Sequence, residues 1–269
     1  MDVKKVLYVS QEIEPYVAAG PVATFSRTVA QGLQEKGAEV RTFMPRYGAI
    51  NERRNQLHEV IRLSGLNIPI DDVDYPLIIK VATLQPTRLQ VYFIDNDEFF
   101  ARHTADGILE TESDAEANDE RAIFFVRGVA ETVRKLRWEP SVVHAIGWLA
   151  GLVPAYIKEI YNEDPSFKSS KVVYSLTADK DIDAPFDEAM VKKLKDEGFS
   201  DKQLASLSGT THRSLHKLAI DFADAIAVSA PEVDAELLAY AKSTGKPVLD
   251  YPGECPEATS AYHEFYKSL

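Results

Sequence analysis

From Val3 to Tyr47 the chain spells one strand–loop–helix–strand unit, and that unit commits it to a sheet of parallel strands. Val3–Ser10 is an apolar run rich in β-branched residues, the pattern of a strand buried on both faces. A loop, Gln11–Pro21, follows and carries Glu12, Pro15, Tyr16 and Gly20. Val22, Phe25, Val29 and Leu33 then recur at helical spacing, and Gly37 is the stop signal. A second strand, Glu39–Met44, runs into Pro45-Arg46-Tyr47. In open α/β sheets the loops at the carboxyl ends of strands receive ligands, so Gln11–Pro21 is the first place to look for a site.

The alternation continues, which predicts an α/β fold with a mainly parallel, Rossmann-like sheet covered on both faces. Gly65–Ile70 and Leu77–Leu84 read as a hairpin around Asp71-Asp72-Val73-Asp74, and Leu89–Ile94 as a strand. Arg102–Ala117 is polar and acidic, the pattern of a flexible loop. Helical spacing returns over Asp119–Leu136, with Ile123, Val126, Val129 and Val133 inward. Strands at Ser141–Ala145, Lys171–Leu176, Ala225–Ser229 and Val248–Tyr251 alternate with helices at Trp148–Tyr161 and Pro231–Lys242. Asp187–Asp221 reads as two helices parted near Gly198-Phe199-Ser200, with Ser200 or Asp201 capping the second. The sequence carries no linker or repeat, so residues 1–269 are taken as one domain.

Bulk properties narrow the function. Forty-two acidic against 30 basic residues leave a net charge of −12, which argues against nucleic acid and anionic membranes as partners. The single cysteine, Cys255, excludes an internal disulfide and a thiolate metal cluster. No secretory signal pattern or membrane-length apolar run is present, so a cytoplasmic location is expected. No cofactor motif is found: the phosphate loop, the dinucleotide glycine fingerprint and the Gly-x-Ser-x-Gly elbow are all missing.

The ordered motifs resemble bacterial glycogen and starch synthases, glycosyltransferase family 5. Glu12, Pro15, Tyr16, Gly20, Val22, Gly37, Glu39, Val40 and Pro45-Arg46-Tyr47 match the opening pattern of that family. Asn118-Asp119-Glu120-Arg121 with Phe124-Phe125, then Pro140-Ser141-Val142-Val143-His144-Ala145-Ile146-Gly147-Trp148, are similar to two later stations. Val172–Ala178 and Ala223–Pro231 carry the resemblance to about residue 231. It implies the N-terminal half of a GT-B glycosyltransferase, a hexosyltransferase using ADP-glucose and an α-1,4-glucan. Nothing in the chain resembles the second, donor-binding domain of these enzymes.

Several charged or polar family positions are changed here. The family's lysine falls on Ala18, its second glycine on Pro21 and an aspartate on Thr24. A second histidine falls on Ile146, another aspartate on Gly147, and a histidine and asparagine on Thr177 and Ala178. Glycosyl transfer needs fixed positive charge at the leaving diphosphate and polar groups at the sugar. The resemblance therefore implies no catalytic residue and no efficient transfer by this chain alone. It leaves three ligand-level readings: an acceptor-side half working with a separate donor-side protein, a non-catalytic α-glucan-binding or regulatory protein, or a pocket for a different sugar or an ADP-glucose-like ligand.

Glu12, Tyr16, Gly20, Tyr47, His144 and Trp148 are the candidate ligand-binding residues. Trp148 and His144 suit either a sugar groove or packing at a strand–helix junction. His212 and His216, four apart, have zinc-compatible spacing but no third ligand, and read as a solvated helix face. Tyr262, Phe265, Tyr266 and Leu269 give the tail 259–269 one aromatic face, which either docks on the domain or binds a partner.

Overall fold

The computed structural model describes residues 4–101 and 115–269. Its strands in chain order are β1 (Lys5–Ser10), β2 (Glu39–Pro45), β3 (His58–Glu59), β4 (Leu66–Ile70), β5 (Val73–Leu84), β6 (Leu89–Asp95), β7 (Val142–Ile146), β8 (Lys171–Leu176), β9 (Ala225–Val228) and β10 (Val248–Leu249). The helices are α1 (Pro21–Glu35), α2 (Asp97–Phe100), α3 (Ala115–Leu136), α4 (Val153–Ala155), α5 (Ala189–Asp196), α6 (His212–Phe222), α7 (Ala235–Ser243) and α8 (Glu257–Ser268).

The sheet runs β10-β9-β8-β7-β1-β2-β6-β5-β3, with β4 hydrogen-bonded to β5. From β10 to β6 every pairing is parallel, and β5 is antiparallel to β6, β3 and β4. The chain builds outward from β1 through β2 to β6, then returns to β7 on the other side of β1. The reversal leaves a crevice between the ends of β1 and β7, where an open sheet holds its ligand. The mixed α/β fold with a mostly parallel sheet agrees with the expectation from sequence.

Both sheet faces are covered, and polar residues are folded into each. Tyr8, Ser10, His144 and Ser175 face α1 and α8; Leu7, Val9 and Tyr174 face α3, α4 and α6. The inner stripe of α1 is Ala23, Ser26, Val29, Ala30 and Leu33, while Val22 and Phe25 are half-buried. Small residues dominate because α1 is packed from two sides. Ser26 meets Ser10 at 2.8 Å, and a Cβ on Gly32 would overlap Thr259 of α8. Gly37 ends the helix with φ +96°, a conformation that favours glycine.

Among the boundaries that differ from the sequence reading, two are set by local hydrogen bonds. α6 begins at His212, not near Ser200, because Thr211 and Ser214 form a reciprocal cap. α7 begins after Asp234, whose side chain accepts from Leu237 N–H; Pro231 lies outside it. Trp148–Tyr161 is not one helix: a 3₁₀ turn at Trp148–Ala150 and a π-helical segment at Tyr156–Ile160 flank α4. The flexible loop expected over Arg102–Ala117 lies, up to residue 114, outside the described residues. Among the described residues no helix is long and apolar enough to cross a membrane.

Candidate functional site

The loop after β1 is built from its own polar groups. Ser10 Oγ donates to the Glu12 carbonyl at 2.8 Å, and Glu12 N–H lies 3.2 Å from the same oxygen. Tyr47, just past β2, donates its hydroxyl to the Gln11 carbonyl at 2.8 Å. The Glu12 side chain receives Gln11 Nε2 at 3.2 Å and is only 8% exposed. Burial raises its carboxyl above the ordinary glutamate range, and the Gln11 bond offsets part of that.

Across the crevice stands Gly147, immediately after β7, with φ +84°. A Cβ at this position would overlap Gln11 Oε1, which also lies 3.4 Å from Leu149 N–H. The Gln11 amide thus fills the space that a side chain on residue 147 would need. Gln11 was not singled out by the sequence; two positions 136 apart become complementary only when β1 and β7 are neighbours.

The candidate ligand residues do not form one open surface. Tyr16 is 7% exposed and packs edge-on against Phe93 at 4.8 Å; burial pushes its hydroxyl up to about 12. Tyr47 is buried. Trp148 is 7% exposed, with its ring 4.7 Å from His212 and 5.8 Å from Phe186. His144 lies in the sheet interior beneath α8, both ring nitrogens engaged: Nδ1 with Tyr266 Oη at 2.5 Å, Nε2 with Ser175 Oγ at 2.6 Å. Of the six, Gly20 stands at the loop surface beside the start of α1, and Ala18 nearby is exposed. Glu12, Gly20 and Tyr47 are brought together at the β1 end; His144 is separated from them by packing.

The expectation that His212 and His216 form a solvated face is corrected. Both are buried, and Asp179, in the loop after β8, lies 3.2 Å from His212 Nδ1 and 3.1 Å from His216 Nε2. Tyr174 Oη is 2.7 Å from the remaining His216 nitrogen. Burial raises the Asp179 carboxyl, but the two imidazole hydrogen bonds overcome it and hold the group well below the usual carboxylate range. This cluster ties the β8 loop to α6. Removing it with Asp179→Ala should cost about 2–3 kcal/mol, because two buried N–H donors lose their acceptor. The check is the urea midpoint at pH 7; a shift no larger than that of an exposed aspartate would refute it. Among the described residues no group of three or more His, Cys, Asp and Glu side chains is placed to hold a metal ion.

Comparison with known proteins identifies the family and the fold. A model of the starch synthase catalytic domain matches residues 5–247. A glycogen synthase from Chlorobium luteolum is 38% identical over 172 residues, 64% of this chain and 35% of that protein. One from Chlorobaculum tepidum is 40% identical over the same length and coverage. The chain thus spans about a third of the length of the curated relatives it matches. Among solved structures, the catalytic domain of Starch Synthase IV from Arabidopsis thaliana, bound to ADP and acarbose, aligns with a TM-score of 0.72 at 18% identity. That alignment covers 94% of this chain and 54% of the other, and shows a shared fold.

Proposed function

This chain belongs to the starch synthase catalytic-domain family, and from that premise we propose that it binds an α-glucan, glycogen or a maltooligosaccharide, and transfers no glucose by itself. The observation that carries the second half is the Gln11 amide packed against Gly147, where the family resemblance calls for an aspartate. A carboxylate cannot enter there without displacing Gln11. The exposed Ala18 offers no cation to a leaving diphosphate, and Thr177 and Ala178 offer no imidazole or amide. The first half rests on membership of a glucan-building family and on a structural neighbour of the same fold holding acarbose.

Native gel migration through embedded glycogen, with dextran as control, tests binding. Retardation by glycogen alone is the expected result; equal migration in all gels would end the glucan reading. A parallel assay follows label from ADP-glucose into glycogen, and no incorporation is expected. The rival reading is an acceptor-side half served by a separate donor-side protein. Incorporation that appears only when such a protein is added would replace the proposal with that rival.

A further inference from the structure

Beside the start of α1, on the side facing the C-terminal segment, lies a cavity of about 560 Å³, within the ~300–1,000 Å³ range of small-molecule sites. Its apolar walls include Phe25, Tyr251, Pro21 and Pro231. Phe25 is fixed by an edge contact with Tyr262 at 5.2 Å. Tyr251, Gly253, Glu254, Cys255 and Ala258 lie beyond residue 247, where the family match ends.

Most of the polar side chains in the lining are acceptors. Ser229 Oγ spends its proton on the Leu176 carbonyl at 2.9 Å, and Thr28 Oγ1 spends its own on the Thr24 carbonyl at 2.8 Å. Thr24 Oγ1 donates to Glu14 at 3.3 Å. Each of these three hydroxyls keeps only lone pairs for a ligand, Glu254 adds a carboxylate, and Tyr251 Oη adds a hydroxyl able to donate. Among the described residues no Lys, Arg or His lines the cavity, and Pro21 at the first turn of α1 contributes no N–H. Such a lining repels phosphate and suits a neutral ligand rich in O–H donors with an apolar ring face.

We propose that this cavity is the sugar site of the chain, holding a neutral glucose unit of a maltooligosaccharide between aromatic walls and hydroxyl acceptors, with no subsite for a nucleotide phosphate. The assignment rests on the α-glucan reading above and gives it a location.

Cys255 lines the cavity, is exposed, and is the only cysteine in the chain, so it reports occupancy directly. Labelling by a chromogenic aromatic disulfide is followed with maltotriose, ADP or inorganic phosphate present. Maltotriose at about ten times its Kd should slow labelling roughly tenfold, because only the free fraction reacts. ADP and phosphate should leave the rate unchanged. Ala19 is exposed and lines the cavity, so Ala19→Trp should fill it, abolishing both protection and glycogen retardation with an unchanged melting temperature. Should Ala19→Trp fail to fold, Thr28→Tyr on the outer face of α1 serves the same purpose. Glycogen retardation without protection, surviving Ala19→Trp, would overturn the site while the glucan reading stands. Protection by ADP or phosphate would overturn the neutral chemistry. Neither retardation nor protection overturns both, and protection without retardation supports the site while restricting it to short glucans.

Discussion

Acidification from pH 7 to pH 5 should remove roughly 2 kcal/mol of folding stability through His144 alone. The imidazole is fully buried, and burial lowers its pKa from 6.5 to about 3. Its neutral form is satisfied in either tautomer, one ring nitrogen donating and the other accepting between Tyr266 Oη and Ser175 Oγ, and Tyr8 Oη lies 2.8 Å from Tyr266 Oη. A second proton on the ring would face a hydroxyl that donates to it and force that hydroxyl to turn its proton elsewhere. Between pH 6.5 and about 3 the unfolded chain therefore binds a proton that the folded chain refuses. Stability is complete above the unfolded pKa and falls as pH drops through that window. At about 1.4 kcal/mol for each tenfold change in proton activity, the whole loss is roughly 4–5 kcal/mol by pH 3.

The measurement is urea unfolding at half-unit steps from pH 7.5 to 5, above the range where ordinary carboxyls titrate. Wild type should lose stability steadily below pH 6.5. His144→Gln should start less stable, since Ser175 and Tyr266 lose their ring partner, and should have a shallower slope over the same window. Parallel curves for the two proteins would remove His144 as the cause. Below pH 4 Asp179 adds to the loss in wild type, because a carboxyl held low in the folded state is stabilising only while ionised.

The position of His144 also explains what sequence reasoning can and cannot reach here. The parallel strands were legible because Val6–Val9, Val142–Ile146 and Val172–Leu176 are mostly apolar runs buried on both faces, interrupted only by His144 and Ser175. That pattern does not say which polar residue within a run meets a helix from 120 residues away. Tyr262 and Tyr266 were readable as one helical face, but their partners Phe25, Tyr8 and His144 became visible only with α8 laid on α1. His212 and His216 were misread for the same reason: helical spacing shows a shared face, and only the fold brings Asp179 and Tyr174 to it. Of the candidate ligand residues, the motif read in sequence brings Glu12, Gly20 and Tyr47 to one loop, while Trp148 turns inward against His212 and Phe186.

Replacing Gly147 by Asp should cost about 3 kcal/mol or more, from two separable causes. A non-glycine residue at φ +84° and ψ 167° pays about 1–3 kcal/mol, and crowding a filled space adds about 1–3 kcal/mol. Gln11→Ala alone should cost little, because its amide contacts are long, 3.2 Å to Glu12 and 3.4 Å from Leu149 N–H. In the double variant the overlap disappears and only the backbone cost persists. The four proteins should therefore show a coupling of about 1–2 kcal/mol by denaturant titration, with Gln11→Ala rescuing Gly147→Asp. Additivity within ~0.5 kcal/mol would mean that the two residues do not share the space. Transfer from ADP-glucose should stay undetectable even in the rescued double variant. The added carboxylate would supply one group of several: Ala18 still offers no cation for the leaving diphosphate, and Thr177 and Ala178 offer no imidazole or amide. Stability can be regained at this crevice one pair at a time; chemistry needs the whole constellation at once.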